Sequence, residues 1–414
     1  MLADCVLRRA RCPPPPPGDG ATAPQPPARA AAGHRGPVSR AERSLAPDLA
    51  RGAVLLFIAL ANVTTYVYGV QLEPGHRPVG GGLLDNVLDV VVTAVVDRRS
   101  YPMFALLFGY GMVQLMRRQL DSGAEWPAVR GILLRRNVFL VLFGAVHALL
   151  LFTSDILGPY GAMGLLVTLL FLHRSPRVLA VWTAVSVVLL SLLLGFTDPA
   201  TAGLTEPGEN PSYLLAAVDR LVEWGVTLAL STLLIGLLGP MLIGVRMARA
   251  GLLDRPWEHE ARLRRIAGVG IPLGVLGGLP HGLTVGGFWN PDPLVNGAVG
   301  VLHIATGVAA GAGYVALFGL IALRLRGRGR SGLVGAIAAT GERSLTCYLW
   351  QSVLFAPLLA AWGFGLGDQL GTTAAYGLAV AVWVSGVGLA VLLARAGSRG
   401  PAETLLRRLV YRRR

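Results

Sequence analysis

The sequence contains no lysine and only three cysteines, and charged residues make up 14% of its 414 positions. Soluble globular domains carry about 25% charged residues, so this shortage excludes an ordinary water-soluble protein. Three cysteines cannot cross-link a chain of this length, which excludes a disulfide scaffold. The hydrophobic set reaches 53% and the mean hydropathy is +0.57, which excludes a disordered chain. Together these values indicate a helical protein that crosses a membrane several times.

All 37 basic residues are arginines, and the formal net charge is +14. A basic excess can indicate nucleic-acid binding, but these arginines lie in short runs between long apolar stretches. Cytoplasmic loops of inner-membrane proteins collect such runs. We therefore expect the lipid bilayer, and no nucleic acid, as the partner of the basic surface.

Residues 1–45 differ from the rest, because they are rich in proline and arginine and hold no apolar run. A secretory signal peptide needs an apolar core of about 7 to 15 residues, and this segment has none. We expect a disordered cytoplasmic tail at 1–45 and a transmembrane domain at 46–414.

A helix needs about 20 apolar residues to cross the hydrocarbon core, and about ten stretches approach that length. They are 53–71, 100–117, 132–152, 159–174, 177–196, 221–245, 266–288, 298–323, 344–362 and 373–394. The stretch 83–97 is short and contains three aspartates, which is typical of an interfacial or re-entrant helix. Leaving it out of the count places nearly all arginine clusters on one side, with both termini cytoplasmic. The predicted fold is an all-α polytopic transmembrane helix bundle of about ten spans plus this short interfacial or re-entrant helix.

Polar residues inside apolar spans are costly in lipid and usually face the bundle interior. In the first span Arg51 precedes Asn62 by eleven residues, about 16 Å along a helix, which predicts Asn62 near mid-membrane. An interhelical hydrogen bond and a contact with substrate both remain open for Asn62.

The third span begins at Arg135 and Arg136 and carries His147 near its outer end. Asp155 follows eight residues later, about 12 Å away along a continuous helix. The two side chains therefore meet only if the chain turns back after Phe152. A catalytic pair and separate structural roles both remain open.

The ninth span places Ser344, Tyr348 and Gln351 on one helical face. Arg343 directly precedes them, at the predicted cytoplasmic end of this span. Such a stripe either lines a cavity or holds helices together. Weaker candidates for a site are Glu223, His281 and His303. No HExxH, CxxC, P-loop or GxSxG motif occurs, so spacing predicts neither a metal site nor a nucleotide site.

Several motifs in a shared order resemble the YeiB-like family of bacterial membrane proteins, known as domain of unknown function 418. They cover about residues 45–414 and read RGAVLLFIALAN, FALLFGYGMVQLMRR, LRRNVFLVLFGAVHALLLFTSDILGPYG, GPMLIGVRMARAGLL, GAGYVALFGL, TGERSLTCYLWQSVL and RGPAETLLRRLVY. The chain departs from the family pattern at Glu342 and Cys347, where the family usually has Met and Asn.

This family is distantly similar to transmembrane acyltransferases, which pass an acyl group from a cytoplasmic thioester to a hydroxyl or amine acceptor. The resemblance implies a membrane-bound acyltransferase with an acyl-CoA-type donor and a sugar or lipid-linked acceptor. His147 would act as base and Asn62 would stabilise the oxyanion. Asp155 is the third residue expected to be catalytic. The residues expected to bind the donor or acceptor are Arg51, Arg135, Arg136, Arg343, Tyr348 and Gln351.

Two other classes of function stay open from the residues alone. A carrier for an amphipathic solute would use the same cavity without covalent chemistry. A non-enzymatic membrane protein would need no cavity.

Overall fold

A computed structural model describes residues 44–68, 72–73, 77–78, 80–196, 210–327 and 331–411. The tail predicted at 1–45 lies outside these residues apart from its last two positions. The described part is almost entirely α-helical, with a single two-residue pairing of β1 (Leu72–Glu73) and β2 (Arg77–Pro78).

The first seven helices in the described ranges run from residue 45 to residue 233. They are α1 (Leu45–Val63), α2 (Leu83–Val95), α3 (Ser100–Asp121), α4 (Trp126–Leu150), α5 (Leu157–Leu170), α6 (Pro176–Gly195) and α7 (Tyr213–Leu233). The next seven follow from residue 238. They are α8 (Leu238–Arg249), α9 (Glu260–Val285), α10 (Pro293–Arg324), α11 (Gly332–Glu342), α12 (Ser344–Leu359), α13 (Thr372–Arg395) and α14 (Pro401–Val410).

Six of these helices are long and apolar enough to cross a membrane: α1 with the 3₁₀ turn after it, α4, α6, α9, α10 and α13. A seventh span results if α7 and α8, which meet at a 59° bend, count as one. The structure therefore supports a multi-pass membrane protein without confirming about ten spans. Three predicted spans fall short, since α5 and α12 have 14 and 16 residues and polar residues such as Gln114 and Arg117 interrupt α3.

The helix α2 occupies the stretch predicted not to cross. Its 13 residues extend about 20 Å at 1.5 Å per residue, which is too short for the hydrocarbon core. Leu83 and Leu84, at its start, are 72% and 61% exposed, while its other side packs on α9 and α13. This geometry agrees with an interfacial or re-entrant helix.

Two contacts set the direction of α1 relative to α4. Before the midpoint of each helix, Arg136, ten residues after α4 begins, lies within electrostatic range of Arg51, six residues after α1 begins. Just past their ends, the ring of Tyr66 stacks on that of Phe152 with the centroids 5.0 Å apart. The two helices therefore run side by side in the same direction. We call the end where they begin the basic end and the other the distal end.

The core lies where α3 is enclosed by α1, α5, α8 and α10, and its largest fully buried side chains include Tyr110 and Tyr160. The helices α3 and α8 cross at Gly109 and Gly244, where a β-carbon would overlap the facing backbone. Small residues allow this close approach, which favours helix association in lipid. This crossing supports the helices that carry the distal-end side chains described below.

Candidate functional site

His147 and Asp155 lie in contact at the distal end of α4. The helix ends at Leu150, the chain turns, and the distance from His147 Nδ1 to Asp155 Oδ1 is 2.8 Å. The residues are 3% and 2% exposed. Of the two arrangements that the sequence left open, the structure has the one in which the chain folds back.

Arg220 of α7 caps the end of α4 at this turn. Its guanidinium donates to the carbonyls of Ala148, Leu149 and Leu150, at 3.2, 2.9 and 3.5 Å. The last carbonyls of a helix have no partner within the helix, and a cation is favourable beside them. Arg220 therefore stabilises the turn that returns Asp155 to His147, so we regard it as a positioning residue.

Three other groups hold the carboxylate of Asp155. The backbone N–H of Gly158 and the indole N–H of Trp224 donate to Oδ2 at 2.8 and 3.3 Å. The hydroxyl of Tyr348 lies 3.5 Å from Oδ1 and accepts a bond from the Ile156 N–H. Both carboxylate oxygens thus have partners, which sets the direction in which the acid meets the imidazole.

In the pair formed by His147 and Asp155, the second ring nitrogen of His147 has no described hydrogen-bond partner. Nε2 is buried and makes no hydrogen bond to any residue that the structure describes. An ionised carboxylate only accepts hydrogen bonds, so we assign the proton of the neutral ring to Nδ1. Nε2 then carries a lone pair. The centroid of the His147 ring lies 5.2 and 6.1 Å from those of Tyr348 and Phe152. This geometry is that of a histidine base oriented by an acid.

Asn62 lies near the end of α1 rather than at its middle, so its depth in the membrane stays a prediction. The helix α1 begins at Leu45, six residues before Arg51, so Asn62 falls in the last turn before Val63. It is half-buried, and no hydrogen bond joins it to His147 within the described ranges. Since α1 and α4 run in the same direction, Asn62 is nevertheless at the depth of the His147 pair.

The basic end brings together two of the predicted arginines. Arg136 lies over the ring of Phe108, with 4.9 Å from Cζ to the centroid, and its buried Nη1 makes no hydrogen bond to a described residue. Arg51 lies 3.9 Å from the buried carboxylate of Asp48 and donates to the Leu107 carbonyl. Arg135, which precedes Arg136 in α4, is exposed.

Arg343 and Gln351 both donate to backbone carbonyls in the structure. Arg343 is 3% exposed and donates to the carbonyls of Ser398 and Ala339. It therefore fastens the segment after α13 to the end of α11, because a buried guanidinium needs several acceptors. Gln351 donates to the Leu55 carbonyl at 2.9 Å, which joins α12 to α1. Of the predicted stripe, Tyr348 alone contacts the His147 pair.

A cluster of charges at the distal end was missed from the sequence. Arg77 is 2% exposed and lies 3.2 Å from Asp89 and 2.6 Å from Asp97. Burial raises the pKa of Asp89 to about 6, while Arg77 and hydroxyl donors oppose that rise. Part of the signal was present, since Asp85 and Asp89 are four residues apart and so share one helical face, while Asp97 lies just beyond the end of α2.

No group of three metal-binding side chains lies close enough to hold an ion in the part of the chain that the structure describes. Among the described residues, the distal end holds the carboxylate of Asp155, the imidazole of His147 and the guanidinium of Arg77.

A family model described as protein of unknown function (DUF418) matches residues 247–413. The chain is 28% identical over 396 residues to the uncharacterized protein YeiB of Escherichia coli (strain K12), which covers 90% of this chain and 97% of that protein. These matches support the resemblance of this chain to the YeiB-like DUF418 family. It is also 24% identical over 341 residues to the uncharacterized protein YxaH of Bacillus subtilis (strain 168), across 76% of this chain and 80% of that protein. The DUF418 match runs from the end of α8 to α14 and includes Tyr348, whereas His147 and Asp155 precede it.

Proposed function

We propose that this protein is a membrane-bound acyltransferase in which His147 is the general base. The observation that carries the proposal is the buried pair in which Asp155 binds Nδ1 of His147 while Nε2 has no described partner. A histidine held in this way, with an aromatic side chain on either side, is suited to taking a proton from an acceptor hydroxyl.

Apart from the protein's own side chains, the reaction requires only the acyl donor and the acceptor. Nε2 of His147 takes the hydroxyl proton while the acceptor oxygen bonds to the thioester carbonyl carbon. The tetrahedral intermediate collapses with loss of the carbon–sulfur bond, and the leaving thiolate takes the proton back from Nε2. Asp155 stabilises the imidazolium between these two steps. Asn62, at the same depth, would donate to the oxyanion.

The spacing along two parallel helices suits an extended thioester donor. Arg136 precedes His147 by eleven residues, and Arg51 precedes Asn62 by the same number, about 16 Å in each case. A phosphate-bearing donor held by Arg51 and Arg136 at the basic end would place its thioester at the depth of His147. Guanidinium groups are favoured for binding phosphates.

The positive-inside rule assigns the basic end to the cytoplasm. The protein would then be a multi-pass protein of the bacterial inner membrane with both termini cytoplasmic. Donor would enter from the cytoplasm, and the His147 pair at the distal end would meet a sugar or lipid-linked acceptor from the other side.

The experiment measures thiol release from acetyl-CoA and octanoyl-CoA by the full chain in nanodiscs, with a panel of sugar and lipid-linked alcohols. We expect His147→Gln to lower the rate by about 10² to 10⁴, the usual contribution of a general base. Asp155→Asn should lower it too, because the amide can donate to Nδ1 and leave the ring proton on Nε2.

The matched control is His173→Gln, since His173 is exposed and lies against Trp126 at the basic end. It should leave the rate unchanged. Thiol release that His147→Gln does not reduce would contradict the proposal. Uptake of an amphipathic solute into vesicles without thiol release would favour the carrier function instead.

A further inference from the structure

The corner between α2 and α3 holds a strained residue. Arg98 has a φ of +57°, in the left-handed region that residues other than glycine seldom adopt. Its carbonyl lies against Gly307 of α10, where a β-carbon would overlap it. Strained backbone that tight packing maintains is concentrated at ligand sites. The corner leads directly to Arg99, which is fully buried.

Arg99 is a buried cation that forms no ion pair within the described ranges, since the nearby carboxylate of Asp97 acts on it only at longer range and pairs with Arg77. It is 0% exposed and donates to the carbonyls of Thr93, Asp97 and Gly274 at 3.2, 2.6 and 2.5 Å. Within the described ranges no carboxylate oxygen lies within 4.0 Å of its guanidinium, and Nε makes no hydrogen bond. Carbonyl oxygens solvate the guanidinium without adding negative charge. Nearby Arg77 is just as buried, but it has two carboxylates.

Two histidines extend this cluster. Nδ1 of His303, on α10, lies 2.7 Å from Nη1 of Arg99 and accepts its hydrogen bond. The His303 ring lies against the ring of His281, on α9, with centroids 4.6 Å apart. Nδ1 of His281 is buried and has no described hydrogen-bond partner. The cluster thus combines one positive charge with an unused guanidinium N–H and an unused ring nitrogen.

We propose that Arg99, His281 and His303 form a binding site for a carboxylate monoanion. A single guanidinium without an ion pair matches a monoanion, whereas a dianion such as phosphate would carry a second charge into an apolar interior at a large desolvation cost. Nε of Arg99 and Nδ1 of His281, in its Nδ1–H tautomer, would donate to the carboxylate. The carboxylate comes either from a small water-soluble acid or from a fatty acid in the bilayer. The site shares no residue with the His147 pair, so the proposal of a carboxylate site does not depend on the proposal of acyl transfer.

The experiment records thermal unfolding of the full chain in nanodiscs against acetate, octanoate and phosphate, with chloride keeping the ionic strength constant. We expect a saturable rise of the unfolding temperature with a carboxylate and no such rise with phosphate. A response to acetate indicates an aqueous ligand, and a response to octanoate alone indicates a ligand from the lipid phase. Arg99→Gln should abolish the saturable rise, and His281→Ala should raise its midpoint about tenfold, by loss of one charge-assisted hydrogen bond.

The matched control is His259→Ala, on the same helix but at the basic end, where Nε2 is likewise buried without a described partner. It should keep the response of the unaltered protein. If Arg99→Gln does not fold, His281→Ala decides the question, because its Nδ1 makes no described bond that folding needs. The proposal is wrong if neither carboxylate raises the unfolding temperature, if phosphate alone does, or if His281→Ala responds like the unaltered protein.

Discussion

Asp155 and Asp89 are both buried carboxylates at the distal end, and they are held in different ways. Asp155 meets a histidine, an indole N–H and a backbone N–H, with no arginine within 4.0 Å in the described ranges. Asp89 lies 3.2 Å from Arg77 and accepts bonds from Thr372 and Tyr376. An arginine stays charged at any working pH, whereas a histidine exchanges protons near neutrality. The Asp89 cluster is therefore suited to holding helices together and the Asp155 pair to chemistry.

Asp89 and its partners come from three separate parts of the chain. Arg77 lies in β2, Asp89 in α2, and Thr372 and Tyr376 at the start of α13. A buried ion pair contributes little net stability when complete, yet removing one member leaves an uncompensated charge. This reasoning predicts opposite outcomes for the two regions when single residues are replaced.

The largest effect on stability should follow from Arg77→Met. It leaves Asp89 buried without a cation and Asp97 without its closest partner, which should lower the free energy of unfolding by about 3 to 5 kcal/mol. The double variant Arg77→Met with Asp89→Leu should recover part of that loss, because it removes the buried charge as well. Thermal unfolding in nanodiscs measures both. Equal losses in the single and double variants would show that the charge of Asp89 is not the cause, and would remove the contrast with Asp155.

A smaller effect is expected for Arg220→Met, which removes the cap on α4. Hydrogen bonds to a charged group contribute about 1.5 to 3 kcal/mol, so we expect the free energy of unfolding to fall by about 2 kcal/mol. Thiol release should fall further than stability explains, because the turn positions Asp155. Arg220→Lys should restore part of both. The control is Arg174→Met, since Arg174 is exposed and donates to a single carbonyl at the end of α5; it should cost less than about 0.5 kcal/mol.

Composition and periodicity were sufficient to predict a helical membrane protein and a basic face, because apolar length and arginine position are properties of the sequence itself. They could not settle whether His147 meets Asp155. That contact depends on a six-residue turn capped by Arg220, which is 65 residues further along the chain than Asp155. A long-range cap of this kind leaves no local pattern.

The arginines show even more clearly that contacts between distant parts of the chain cannot be predicted from sequence position. Position near a helix end predicted phosphate binding for Arg343, but its donors bind the carbonyls of Ser398 and Ala339. Arg117 and Arg249 likewise donate to carbonyls at the ends of α8 and α5. Sequence position indicates which end of a helix an arginine is near. It does not indicate whether a carbonyl or a ligand is closer.

The smallest effect concerns Asp85, the partly exposed counterpart of Asp89 one turn earlier in α2. Its carboxylate accepts from the hydroxyl and N–H of Thr373, at the start of α13, and from the N–H of Gly82. These bonds lower the pKa of Asp85 below its ordinary value of 3.8, and the bond from the Thr373 hydroxyl has the largest effect. The folded state then binds the proton more weakly than the unfolded state. The stabilisation is complete above the unfolded pKa and is lost as the pH falls through the folded pKa.

Because Asp85 is largely in contact with water, we expect Asp85→Asn to cost less than about 1 kcal/mol at pH 7. The difference in unfolding temperature between the variant and the unaltered protein should shrink as the pH is lowered below about 4, near the reference pKa of an aspartate. Asp121→Asn, at the exposed end of α3, should show no difference at either pH. A difference for Asp85→Asn that stays constant down to pH 3 would mean that the geometry of the Thr373 bonds matters rather than the charge. Asp85 and Asp89 would then differ in burial alone.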